Sequence, residues 1–158
     1  MKLKEKALVT NASQLHKISE PVDLNNEVEC SRLNTELTTF FYNRDCKMQG
    51  LAAIQLGEAK CAFLVRFRKD FAPTVIFNPK VILKIGAFPS IEGCLSEVGR
   101  FQVFRPLLTL AKYYDYTAGE WKVRLLGRKK SRIFMHEYDH LQGILLKDKG
   151  IDVTSYMK

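Results

Sequence analysis

At 158 residues, with 46% hydrophobic and 27% charged, the chain has the size and composition of one soluble globular domain with a real core. No apolar run approaches the ~20 residues that span a bilayer. The start, Met1-Lys2-Leu3-Lys4-Glu5-Lys6, lacks the apolar stretch and cleavage site of a signal peptide, so a cytoplasmic protein without membrane contact is expected. A net charge of +8 suits an acidic partner such as ribosomal RNA, but the basic residues are dispersed and no nucleic-acid motif accompanies them. They read first as a solvated surface, with transient ribosome association as the functional alternative.

From Asn25 to Asn43, Val28, Leu33, Leu37, Phe40 and Phe41 fall at helical spacing, and Asn25 or Asn26 can cap the start. Short apolar runs follow at Cys61–Val65, Thr74–Phe77 and Val81–Leu83, punctuated by Pro73, Pro79 and Gly86, which predicts strands. Further strands fit Phe101–Phe104, Leu107–Tyr114 and Trp121–Leu126, with Thr117-Ala118-Gly119 turning between the last two. A second helix fits Lys129 to Leu141, where Ile133, His136, Glu137, His140, Leu141 and Ile144 share a face and Gly143 marks the end. The cluster Arg128-Lys129-Lys130 with Arg132 lies at the helix start, where it opposes the helix dipole and needs another reason to exist. The expected fold is one α+β domain over residues 1–158: mostly antiparallel strands, an early helix and a late helix packed against them. Nothing in it demands more than a monomer.

The late helix carries His136-Glu137-Tyr138-Asp139-His140. Residues four apart on a helix sit one above the other, so two imidazoles can bind one metal ion, with Glu137 placed to exchange protons with its water. The blander reading is two histidines hydrogen-bonded on a buried face. A catalytic site usually has three protein ligands and one open position. The 18 residues after His140 contain no histidine, cysteine or glutamate, so the third ligand is expected upstream, among His16, the cysteines and the carboxylates. Cysteines stand at 30, 46, 61 and 94 with no C-x-x-C pair, which suggests free thiols.

Three segments resemble the motifs of the peptide deformylase family, in the family's order. They are Gly50-Leu51-Ala52-Ala53-Ile54-Gln55, Glu92-Gly93-Cys94-Leu95-Ser96 and His136-Glu137-Tyr138-Asp139-His140-Leu141. The likeness runs from about His16 to about Asp148. It implies removal of the formyl group from the N-terminal formyl-methionine of new polypeptides. It also implies that Cys94, His136 and His140 hold one divalent metal, Fe2+ in the cell, with Zn2+, Ni2+ or Co2+ able to occupy the site. Glu137 would serve as base and then acid, and the Gln55 amide and the Leu95 backbone N–H would donate to the substrate oxygen. Gly50 would allow close passage of the peptide. Glu92, Arg105 and Asp139 would form a charged network orienting the imidazoles.

The chain also departs from the family pattern. Met48 and Gln49 stand where the first motif usually has a glycine and an aliphatic residue, Glu97-Val98 replaces an aliphatic-proline pair, and Met135 stands where glutamine is common. Gln49, Lys129, Arg132 and Ile133 are expected to shape the pocket for the substrate side chain, with a polar or cationic rim unusual for methionine. The tail ending at Lys158 resembles shortened deformylases, including those carried by phages. Two other functions compete: a metallopeptidase of the H-E-x-x-H kind, and a deformylase-like protein that binds metal or peptide with little turnover.

Overall fold

A computed structural model describes residues 5–44 and 47–157; Cys46 lies outside the described residues. The chain opens with a single helical turn, α1 (Ala12–Leu15), capped by the Asn11 side chain. Helix α2 (Glu27–Tyr42) follows, and the Asn26 carboxamide oxygen accepts from the Glu29 N–H at 3.1 Å. Its buried face is Cys30, Leu33, Leu37, Phe40 and Phe41. Val28, expected on that face, is 81% exposed. It precedes Cys30 by two residues, a step of about 200°, which turns it to the opposite side.

The strands are β1 (Gly50–Ala52), β2 (Ala62–Val65), β3 (Thr74–Ile85), β4 (Phe88–Cys94), β5 (Glu97–Arg105), β6 (Leu108–Asp115), β7 (Glu120–Leu126) and β8 (Ile151–Asp152). A 3-10 turn, Ala53–Leu56, follows β1. Five strands form one sheet in the order β1-β2-β3-β6-β7, and three form another, β4-β5-β8, all paired antiparallel. The α+β expectation holds.

Two strand expectations need correction. The runs at 74–77 and 81–83 are one strand, because Pro79 sits in a bulge where the register shifts between Phe77 and Lys80. A proline there has no ladder bond to lose. Asn78 reaches φ 50° and its carboxamide clamps Val22, accepting from the N–H and donating to the C=O, both at 2.8 Å. Strand β4 was not anticipated. Its inward residues are Phe88, Ser90 and Glu92, so polar side chains hide the alternation that would reveal it.

Strands β1 to β3 are covered on both faces. Leu51, Ala62, Leu64, Val75 and Phe77 pack with α2. Ala52, Phe63, Val65 and Ile76 pack with α3 (Arg128–Leu141). On that side Phe134 stands edge-on to Phe63, ring centroids 5.3 Å apart. After α3, Gly143 adopts φ +69°, and a Cβ there would lie 2.4 Å from the His16 carbonyl oxygen, so only glycine fits the turn. The short helix α4 (Leu146–Lys149) then leads to β8.

Candidate active site

Two elements build the site. Helix α3 sets the His136 and His140 rings edge to face, centroids 5.2 Å apart. The β4–β5 hairpin turns at Leu95-Ser96 and delivers Cys94, whose Sγ lies 3.4 Å from His140 Nε2. One donor atom from each of Cys94, His136 and His140 falls within 4.8 Å of the others. Among the described residues, Cys94 is the candidate third ligand that lies with the two histidines. His16 instead pairs with Asp148 at 2.9 Å, and Cys30 and Cys61 are free thiols elsewhere.

Behind this group stands a buried ionic chain. His136 Nδ1 meets Glu92 Oε2 at 2.9 Å. Arg105, 1% exposed, grips Glu92 with a two-pronged fork at 2.9 and 2.8 Å and reaches Asp139 at 2.6 Å. Lys149 closes the chain on Asp139 at 3.0 Å. Burial would raise the Glu92 carboxyl, but hydrogen bonds from His136 and Arg105 hold it well below the usual carboxylate range. Burial would also discharge His136, yet Cys94 and Glu92 lift it to about 10. His140 is pushed well down, first by burial and then by the neighbouring His136 and Arg105, which favours its neutral form. The surroundings thus favour positive charge next to one sulfur and a neutral imidazole, which fits a bound cation.

Glu137 is buried alongside, and its Oε2 has no hydrogen-bond partner. Burial is the main cause that raises its carboxyl, to about 7. A Cβ on Gly50 would sit 2.3 Å from Glu137 Oε1, so this glycine makes room for the carboxylate. Gln55, 3% exposed, is oriented at both ends. Its Oε1 accepts from the Ala52 N–H at 2.9 Å, and its Nε2 donates to Ser96 Oγ at 3.1 Å and lies 3.5 Å from Cys94 Sγ.

These groups open onto a cleft of about 530 Å³. Gln49, Gly50 and Gln55 lie on its β1 side, Ile91, Gly93, Cys94 and Leu95 on its β4 side, and Ile133, His136 and Glu137 come from α3. Lys129, expected at the pocket, is exposed and does not line it, being one turn too far back on the helix. Sequence reasoning did not assign Ser96 or Lys149, or the cleft cations Arg44, Lys47 and Arg100. Ser96 stood inside a recognised motif; long basic side chains give no periodic signal of where they converge.

The sequence profile described as polypeptide deformylase matches residues 5–155. The chain belongs to this family. It is 32% identical to the peptide deformylase of Dictyoglomus thermophilum over 97% of this chain and 92% of that protein. With peptide deformylase 2 of Shewanella oneidensis identity is 34%, over 67% of this chain and only 64% of the relative's length. The Met-Ala-Ser-bound crystal structure of the Acinetobacter baumannii class I type b peptide deformylase superposes with a TM-score of 0.82 at 26% identity. That match covers 94% of this chain and 99% of the other. These likenesses support deformylase activity and favour neither competing function. The family is metal dependent, and Cys94, His136 and His140 form a group able to hold an ion. No helix among the described residues is long and apolar enough to cross a membrane.

Proposed function

We propose that this chain hydrolyses the formamide at the N-terminal formyl-methionine of nascent polypeptides and releases formate. One observation carries the reading: a sulfur and two imidazoles converge beside an open cleft, next to the buried carboxylate of Glu137, whose Oε2 has no hydrogen-bond partner among the described residues. Cys94, His136 and His140 would hold one divalent ion. When bound, the ion lowers the pKa of a water and makes a nucleophile available near neutral pH. Family membership points to iron(II) as the ion in the cell, where a thiolate donor makes the site sensitive to oxidation; zinc, nickel and cobalt fit the same donors.

The protein's own groups do the rest. Glu137 takes the proton of the attacking water and delivers it to the departing amine nitrogen as the formyl C–N bond breaks. Gln55 Nε2 and the Leu95 backbone N–H donate to the oxygen that gains charge; loss of one such donor typically costs about 2.7–4 kcal/mol. The Ala52 N–H fixes the Gln55 amide, so this donor is oriented in advance. Strands β1 and β4 are each the edge of their sheet and both border the cleft. An extended peptide laid between them finds unpaired main-chain groups on either side. Glu92, Arg105 and Asp139 hold the His136 ring in place. On this reading the protein works in the cytoplasm, where new chains emerge, as a monomer with a basic surface available for transient ribosome contact.

Protein prepared anaerobically, with its metal quantified, should release formate from formyl-Met-Ala-Ser and leave internal peptide bonds intact. A fully metallated preparation that releases none from any formyl-Met peptide refutes the reading, and internal cleavage would point to a peptidase.

A further inference from the structure

The cleft is strongly cationic, and among the described residues its charge is only partly balanced. Arg44, Lys47, Arg100 and Arg132 all line it. Among the described residues its carboxylates are Glu92, already held by Arg105 and His136, and the buried Glu137. Arg44 pairs with Glu5 at 3.3 Å. Among the described residues, Lys47, Arg100 and Arg132 have no acidic partner.

Arg132 is the informative member. It lies four residues before His136, so helical geometry sets it on the same face, one turn from the reacting centre. It is half-buried, yet its only hydrogen bond among the described residues goes to a neutral acceptor, Gln49 Oε1, at 2.7 Å. Partial burial of a guanidinium against a neutral amide costs hydration without the return of an ion pair. On the opposite wall Arg100 lies along Gly93, where an added Cβ would meet its Nη1 at 3.1 Å. An extended peptide sends successive side chains to opposite sides. One passing between these walls therefore meets a cation on each.

We propose that this cleft selects formylated peptides bearing a carboxylate close to the formylated end, and that Arg132 is the specificity-determining residue that reads it. The inference rests on the deformylase reading and adds its substrate class. Arg132 is well suited to the task, because a guanidinium binds a carboxylate through parallel N–H···O bonds, and the other cations raise the local concentration of acidic chains. The same charges repel lysine and arginine at those positions, so selection acts in both directions.

The test compares kcat/KM for formyl-Met-Ala-Ser, formyl-Met-Asp-Ser, formyl-Met-Ala-Asp, formyl-Glu-Ala-Ser and formyl-Met-Lys-Ser. At least one acidic peptide should exceed the neutral one by about tenfold, the lysine peptide should fall below it, and the spread should shrink as salt rises. The acidic peptide that leads locates the carboxylate. Arg132→Gln should bring the acidic-to-neutral ratio to near 1, and Arg132→Lys should restore part of it. A side chain that merely props Gln49 would slow all peptides together and leave the ratio intact. Equal rates for acidic, neutral and basic peptides, or an unchanged ratio in Arg132→Gln, overturn the inference while the deformylase reading stands. If no peptide releases formate, the deformylase reading fails instead. Calorimetric binding of the same peptides then still decides whether acidic ones bind more tightly, and equal affinity overturns the preference.

Discussion

Helices α2 and α3 cover opposite faces of the same three strands, yet they bury different chemistry. Under α2 the enclosed side chains are apolar, among them Leu33, Leu37, Phe40, Leu64 and Phe77. Under α3 an apolar portion around Phe63 and Phe134 gives way to Arg105, Glu92, Asp139, Glu137 and His140. The first region needs only shape and volume to be stable. The second holds buried charges, which are stable only as a complete set. The difference separates scaffold from site: β1 to β3 form the rigid wall, α2 anchors it, and α3 uses the other face to present reactive groups.

The contrast can be broken most forcefully at Arg105. Arg105→Ala leaves Glu92 and Asp139 buried without their main partner, and stability should fall by about 3–5 kcal/mol. Metal affinity should fall with it, by about 10–100-fold, because His136 loses its orientation through Glu92. Urea unfolding and a chelator competition measure both; unchanged stability, metal content and rate would remove the network from the account.

Leu37→Ala sharpens the comparison from the other face. A cavity under α2 should cost about 3 kcal/mol, while the metal affinity and turnover of the folded protein stay near wild type. A large loss of metal would mean that the two faces are not separable. Between them stands Gly50, where a methyl group would strike Glu137. Gly50→Ala should destabilise modestly, by about 1–3 kcal/mol, and slow formate release disproportionately; a rate that only tracks folded fraction would show that the close approach is without consequence.

The smallest effect belongs to the surface ion network beside α2, where Glu58 meets Lys6 and Arg32. Burial raises the Glu58 carboxyl, but these two cations outweigh it and hold the group below its ordinary value of 4.5. Its folded-state value is depressed, so its contribution is complete above that ordinary value and is lost as pH falls further. Glu58→Gln should cost no more than about 1 kcal/mol at pH 7, and the gap from wild type should close in acid. A loss comparable to that of Arg105→Ala would erase the distinction between surface and buried charge.

How far the sequence reveals these regions follows from the same contrast. The face of α2 is legible because Leu33, Leu37 and Phe40 repeat at helical spacing, and Val28 misleads only because one apolar residue joins the pattern from the wrong side. Strand β4 is illegible because Ser90 and Glu92 point inward, and Glu92 is buried by its place in the ionic chain and not by hydrophobicity. The pair His136 and His140 can be read from helix geometry alone. Their meeting with Cys94, 42 residues before His136, depends on a hairpin whose placement no local spacing encodes, and family resemblance supplied it. The Arg132–Gln49 contact joins residues 83 positions apart; its residues were suspect as departures from the family pattern, but their pairing emerges only in three dimensions.

The most direct measurement is formate release from formyl-Met-Ala-Ser by anaerobically prepared wild type and Glu137→Gln, with metal quantified in both. The expected result is equal metal in the two proteins, turnover by the wild type, and a loss of about 10²–10⁴-fold in the variant. Wild-type turnover by Glu137→Gln, or a metallated wild type that releases no formate, would contradict it.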